Sequence, residues 1–401
     1  MGIMKIYYKK LRINQNKGET MEFVYFDNSA TTKPHRQVID EVAECMEKFF
    51  ANPSSAHKLG IEAEKKAIAA RTELAKLIGA LPKEIVFTSG GSEANNTAIL
   101  GTVSKGEHII TSKIEHPSIL RLLENMEELG HEVTYLEVDS RGLVKLDRLE
   151  AAIKDNTRLV TIMHVNNEVG SIQPISEIVR IVRANSKKAR IHVDAVQSAG
   201  KLQLDVKSLD IDMLSLSAHK IHGPKGTGAL YIKNGLRLKP LIFGGGQEGG
   251  IRSGTENLPG ISGFGIAASE AIVDRQKKAE QVYNTKKHFI RRLLEVDDIV
   301  INSPLDNCHI DNILNVSFGG VRGEVLLHAL EDYKIYVSTG SACASKQSGH
   351  RNHVLPALGL RECDIEGAVR FSFSYFNTLE EVDYTIEALK KILPFLRRLK
   401  R

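Results

Sequence analysis

The chain has 401 residues, 42% of them hydrophobic, and a formal net charge of +5. That is ample for a buried core and sets an expectation of two domains. The charge is too modest for this length to demand nucleic acid, and no apolar run approaches the ~20 residues of a membrane span.

Residues 1–20 are basic and polar around a short Ile6-Tyr7-Tyr8 patch, too brief for a secretory leader. Their single arginine, Arg12, is weak support for a mitochondrial presequence. They predict a flexible extension, with Met21 as an alternative start. Four cysteines, Cys45, Cys308, Cys343 and Cys363, are widely spaced and include no CxxC pair. That argues against a disulfide framework or structural zinc and fits a reducing cytoplasm.

Strand-like runs follow at Ile85–Thr88, His108–Thr111, Glu132–Leu136, Leu159–His164, Ile191–Asp194, Met213–Ser217 and Ala229–Ile232. Helical patterns interleave at Gly60–Ile78, Ser92–Val103, Pro117–Leu129, Leu146–Ile153 and Ser176–Asn185. Such alternation predicts an α/β fold, a mostly parallel seven-stranded sheet with helices on both faces. The pattern then changes. A long charged helix from Ala267 to about Leu294 leads to Ile299–Asn302, Ile313–Phe318, a Val325–Leu330 helix, Ala368–Ser374 and a terminal helix from about Leu379. This predicts a large domain over 35–267 and a smaller α+β domain formed by 21–34 and 268–401.

The chemistry gathers at predicted strand ends. Asp212-Met-Leu-Ser-Leu-Ser-Ala-His-Lys220 stops at a glycine-rich turn, which puts an amine at the carboxyl edge where open α/β sheets bind ligands. A lysine there can form a Schiff base with an aldehyde cofactor; the plain alternative is a surface lysine before a turn. Asp194 ends the preceding strand. It suits the pyridine nitrogen of pyridoxal phosphate, or else caps the next helix. Gln197 could reach that cofactor's phenolic oxygen. Ser89-Gly-Gly-Ser-Glu93 reads as a turn into a helix whose N–H groups, with Ser92, could bind a phosphate, and Ser217 and His219 could add donors. It matches neither a dinucleotide fingerprint nor a P-loop. His116 could stack on the ring and move protons, or be an ordinary loop histidine. Asn166 could contact cofactor or substrate, or simply make a turn.

The loop Phe243–Asn257 is too glycine-rich for a helix or strand and carries Arg252, Thr255 and Asn257. Arg370, in an otherwise apolar strand, needs an anion: a substrate carboxylate or a structural ion pair. Ser338-Thr-Gly-Ser-Ala-Cys343-Ala-Ser-Lys346 is small, polar and glycine-flanked, so Cys343 is expected to be exposed and reactive, with Lys346 or His350 favouring the thiolate.

Together these residues resemble the cysteine desulfurases, pyridoxal-phosphate enzymes of the class V aminotransferase group with fold type I. The similarity runs from Tyr25-Phe-Asp-Asn-Ser-Ala-Thr-Thr32 through Asn52-Pro-Ser-Ser-Ala-His57, Ser217-Ala-His-Lys220, Arg252-Ser-Gly-Thr255 and Gly340-Ser-Ala-Cys343 to Arg370-Phe-Ser. The resemblance implies that Lys220 holds the aldehyde and moves the substrate's α-proton, Asp194 pairs the pyridine nitrogen, and His116 stacks on the ring. It further implies that Asn166 and Gln197 contact the cofactor, that Gly91, Ser92, Ser217 and His219 bind phosphate, and that Arg370 with Asn166 binds the substrate carboxylate. Thr255 would come from the partner subunit of a homodimer.

The implied reaction takes L-cysteine to L-alanine and a persulfide on Cys343. The sulfur would pass to an acceptor protein for iron–sulfur cluster assembly or tRNA thiolation, with Cys343 also a possible transient cluster ligand. No resident metal, direct nucleic-acid contact or membrane is expected. Ser92 and Ala344 stand where many relatives carry Thr and Ser, and Gln347–His353 is unusually basic, which leaves the acceptor open. Competing readings are a selenocysteine lyase, another class V aminotransferase, or a non-catalytic scaffold of the same fold.

Overall fold

The computed structural model describes residues 22–340 and 352–399. The chain enters with strand β1 (Val24–Tyr25) and helices α1 (Arg36–Lys48) and α2 (Lys58–Ile78). The alternation then runs β2 (Ile85–Thr88), α3 (Gly91–Thr102), β3 (His108–Ser112), α4 (Pro117–Glu128), β4 (Glu132–Leu136), α5 (Leu146–Ala152), β5 (Thr157–Met163) and α6 (Ile175–Asn185). Strands β6 (Arg190–Asp194), β7 (Met213–Ser217) and β8 (Gly228–Ile232) follow, then helices α7 (Leu258–Ile272) and α8 (Arg275–Leu293). The remainder is β9 (Ile299–Ile301), β10 (Ile313–Phe318), α9 (Gly323–Glu331), β11 (Ile335–Tyr336), α10 (Val354–Ala357), α11 (Glu362–Glu366), β12 (Ala368–Ser372) and α12 (Leu379–Leu399).

Seven strands form one sheet in the order β2-β8-β7-β6-β5-β3-β4. Strand β8 runs antiparallel to both neighbours; the other pairings are parallel. The mostly parallel seven-stranded sheet read from the sequence is therefore present. Its strands are apolar on both sides because both faces are covered. Ile109, Leu159 and Met213 pack on one face with Ala98, Ile119 and Leu123 of α3 and α4. Their neighbours Ile110, Val160 and Leu214 pack on the other with Leu74, Ile178 and Phe264 of α2, α6 and α7. Consecutive residues thus serve opposite cores, as the two-residue repeat of a strand requires.

A separate core joins Val24 and Phe26 to Phe289, Val316, Phe371, Ile386 and Leu389. It lies against the antiparallel sheet β12-β10-β9, while β1 pairs with β11. The N-terminal segment therefore shares a core with residues more than 260 positions later, such as Phe289.

Two departures from the sequence reading stand out. Helix α1 was not among the predicted segments. The long charged helix expected from Ala267 is two helices, broken where Val273 is extended and Asp274 takes φ 49°. Aspartate tolerates that left-handed conformation better than most side chains. Lys278 stitches the break by donating to the Glu270 carbonyl at 2.6 Å.

Phe289 is fully buried, with ring centroids 4.8 Å from Phe371, 5.4 Å from Phe373 and 5.9 Å from Phe26. Phe289→Ala is expected to destabilise this core by about 3–5 kcal/mol, read as a lower denaturant midpoint.

Candidate active site

Strands β6 and β7 lie side by side in parallel, with Asp194 opposite Ser215. Asp194 and the Ser217–Lys220 turn therefore leave the sheet at the same carboxyl edge. The Asp194 carboxylate is buried and accepts from Val196 N at 2.9 Å and from Asn95 Nδ2 at 2.8 Å. The first bond closes a turn rather than capping a helix, because no helix follows β6 and the capping alternative therefore does not apply. The second comes from α3 and was not anticipated. Asn95 also donates to Ser118 Oγ at 2.9 Å, and that hydroxyl lies 2.8 Å from His116 Nδ1. The Ser118 backbone N–H donates to the same ring nitrogen at 3.1 Å. Nδ1 is therefore an acceptor, which puts the proton of neutral His116 on Nε2. Burial lowers the His116 pKa; Asp194 opposes this, while Lys220 and His353 add to it.

Behind His116, Glu115 is fully buried. It accepts from Ser112 Oγ at 2.6 Å and from Met163 N at 2.9 Å. Burial pushes its carboxyl up to about 8 despite these bonds, and the Asp194 charge adds to the rise.

Lys220 donates to the carbonyls of Ser29 and of Ala30, the latter at 2.8 Å. Gln197 donates to the same Ser29 carbonyl at 2.9 Å. The segment following β1 thus folds over the lysine turn. Thr32 seals the contact, donating through both its N–H and its hydroxyl to the His219 carbonyl. These carbonyls carry no side-chain signature, so sequence reasoning did not find them.

A cleft beside this turn is lined by Gly90, Gly91, Ser92, Ser217 and His219. Helix α3 starts there, presenting N–H groups with no intrahelical partner. Gly91 is required by space, since a Cβ would lie 2.7 Å from Val196 Cγ2. Ser217 Oγ is buried without a hydrogen-bond partner among the described residues. An orphaned hydroxyl facing a helix N-terminus fits a phosphate, so the residues present suit the phosphate end of pyridoxal phosphate. His219 Nδ1 lies 3.2 Å from Thr31 Oγ1. Burial, helped by Lys220 and Lys225, drops its pKa to about 4, leaving a neutral ring.

Asn166 and Arg370 are held more tightly than their sequence context suggested. The Asn166 oxygen accepts from Glu168 N and Val169 N at 2.9 and 3.0 Å, and its nitrogen donates to Ile114 O at 3.1 Å. Arg370, 2% exposed, donates to Glu168 Oε1 at 2.9 Å and Asp27 Oδ1 at 3.0 Å. The ion-pair alternative is thus present in fact. Thr255 is exposed on the loop that follows β8. On that loop Arg252 pairs with Glu93 at 3.0 Å and Asn257 caps α7. Cys343, Lys346 and His350 lie outside the described residues. The positions flanking them are at the site: a Cβ on Gly340 would overlap Asn352, and His353 Nε2 lies 2.8 Å from the Glu115 carbonyl, next to His116. Among the described residues no acid, histidine and cysteine cluster could hold a metal, and no helix is long and apolar enough to cross a membrane.

A parallel sheet with a lysine, an acid and a helix N-terminus on one edge suits a pyridoxal-phosphate-dependent enzyme, and similarity to known proteins shows which class it belongs to. The family model "Aminotransferase class-V" matches residues 24–385. A curated relative, cysteine desulfurase IscS of Dictyoglomus turgidum, is 42% identical over 93% of this chain and 95% of its own. Among solved structures, a NifS-like protein superposes with a TM-score of 0.88 at 40% identity, covering 93% of this chain and all of that one. SspA in complex with cysteine gives 0.78 at 37% identity, covering 88% of this chain and all of that one. The chain belongs to the class V aminotransferases and, within them, to the cysteine desulfurase family.

Glu115 supplies a test of the site's electrostatics. Its folded pKa lies above the unfolded value, so its stabilising share is full below about pH 4.5 and is lost as pH rises toward about 8. Glu115→Gln should therefore melt close to the parent at pH 5 and above it at pH 8.5, by a few kcal/mol, in paired thermal scans.

Proposed function

We propose that this chain removes sulfur from L-cysteine, releasing L-alanine and loading the sulfur onto Cys343 as a persulfide. The observation that carries the reading is the shared edge: Asp194, tied through Asn95 and Ser118 to His116, leaves the sheet beside the turn that carries Lys220 and the orphaned Ser217 hydroxyl. When bound, pyridoxal phosphate supplies an aldehyde for amines and an electron-withdrawing ring beside the substrate's Cα.

The residues divide the work. Gly91, Ser92, Ser217 and His219 hold the phosphate. Asp194, bonded to two N–H donors, would face its carboxylate toward the pyridine nitrogen and hold a proton there. Neutral His116 would lie against the ring, and Gln197 and Asn166 would supply donors for the phenolic oxygen. Lys220 anchors the aldehyde and, once displaced by substrate, its amine takes the proton from Cα. Arg370, with Asn166, receives the substrate carboxylate.

Sulfur leaves by attack of the Cys343 thiolate on the substrate sulfur. The Cβ–S bond breaks, its electron pair stays on carbon and is protonated, and a new S–S bond forms.

We further propose a large lobe over 35–267 and a small one from 21–34 and 268–401, and a cytoplasmic homodimer with Thr255 donated across the interface. Apolar exposure supports the dimer. Met46 and Phe50 at the end of α1, Ile61 and Ile68 of α2, and Phe243 on the Thr255 loop, 81% exposed, all face outward. The sulfur acceptor would be a scaffold for iron–sulfur clusters or a tRNA-thiolating enzyme.

Cys343→Ala is expected to keep cofactor absorbance and lose transfer of sulfur to an acceptor by at least about a hundredfold. Persulfide formation at the parent rate in that variant would overturn the assignment. Lys220→Ala should release no alanine over repeated turnovers. Comparing cysteine, selenocysteine and an amino acid–oxo acid pair as substrates separates this activity from its neighbours in the class.

A further inference from the structure

On the side of Lys220 away from the phosphate cradle, a second cavity opens among Asn28, Lys201, Lys220, His222, Lys278 and Tyr375. Lys201 has no acid partner among the described residues; its amine donates to Gln197 Oε1 at 3.1 Å. The exposure it retains faces this cavity rather than the outer surface. An unpaired lysine this close to a reactive amine is costly, because burial and the second cation both oppose its charge. Together they lower its pKa to about 7, burial first and Lys220 second.

The bond to Gln197 has a direction. With Oε1 held by Lys201, the amide nitrogen must point the other way, where it donates to the Ser29 carbonyl that Lys220 also uses. A flipped amide would set NH2 against an amine donor and lose both bonds.

The charges facing the pair come from several elements. The N-terminal segment contributes Asp27 and His35, the lysine turn His219 and His222, and the start of α4 His116. Helix α8 adds Arg275 and Lys278, and the segment before β10 adds His309 and Asp311; Tyr375 closes the far wall. Burial lowers His35, and drops His222 to about 4, so both are neutral near pH 7. Asp27 is committed to Arg370 at 3.0 Å and Asp311 to Lys286 at 3.6 Å. Neither acid shields Lys201.

We propose that Lys201 is a positioning residue that tunes the nitrogen of Lys220. It locks Gln197 with its N–H toward the cofactor's phenolic oxygen and sets a second amine beside Lys220. Both effects push the same way. An N–H donor competes with the Lys220 linkage proton for the phenolic oxygen, and a neighbouring amine repels that proton. Lys220 thereby sheds its proton at a lower pH than it would alone. The inference rests on the reading of Lys220 as the cofactor's anchor.

The test is a spectrophotometric pH titration of the Lys220–cofactor linkage in the holoenzyme between about pH 6 and 10, with no substrate present. Lys201→Met should raise the midpoint by about one pH unit. Lys201→Arg, which keeps the donor and stays charged throughout the range, should titrate at or below the parent midpoint. If Lys201→Met does not fold, Lys201→Gln, uncharged but still a donor, is read in the same way with a smaller upward shift. A Lys201→Met holoenzyme that titrates at the parent midpoint overturns the inference. So does a failure of all three variants to hold cofactor, since retained charge must rescue. A parent enzyme whose borohydride-reduced cofactor is not attached to Lys220 would instead sink the reading on which the inference rests.

Discussion

The parallel pairing of β6 with β7 is the constraint on which the site depends. Because the two strands run the same way in fixed register, the acid at the end of one and the amine just beyond the other must emerge together. A parallel sheet also needs long crossovers, and these bring α3 and α4 down with their N-termini at the same edge. The edge thereby collects helix N–H groups, one carboxylate and one amine. Asp194 shows why this matters. Its oxygens are satisfied by an amide side chain and a backbone N–H, both uncharged. A lysine or arginine in the place of Asn95 would pair with the acid directly and neutralise its charge.

Much of this was legible in the sequence because strand ends and glycine turns are local signals. Met213–Ser217 is apolar and stops abruptly, and Ser89-Gly-Gly-Ser announces a turn into a helix, so Lys220 and the phosphate cradle could be placed from short windows. Asn95, Ser118 and the Ser29 carbonyl could not. Asn95 sits inside a helix with no motif of its own, and its importance lies in a bond to a residue 99 positions away. The Ser29 and Ala30 carbonyls are backbone, identical in every sequence, and become special only when the segment after β1 folds over the lysine turn. The break at Asp274 escaped for a different reason. Its flanks are strong helix formers, and a single residue in the left-handed region interrupts them without a glycine or proline to mark it.

Arg370 shows how one side chain can satisfy two readings at once. A guanidinium in a strand of the smaller core cannot stay unpaired, and Asp27 and Glu168 meet that need from two distant segments. The pairing leaves two acids for one base, with Glu168 Oε2 buried and unbonded among the described residues. If Arg370 receives a substrate carboxylate as proposed, a third anion must enter that cluster, and one of the two acids must yield. Asp27 is the better suited. Burial raises its pKa while Arg370 and Lys220 hold it down, so displacing it from the guanidinium would favour its protonation. Glu168 lies on the turn that Asn166 organises and moves less freely. The substrate's carboxylate would then exchange one ion pair for another, so that binding costs little charge burial and selects strongly for an α-carboxylate over a neutral group.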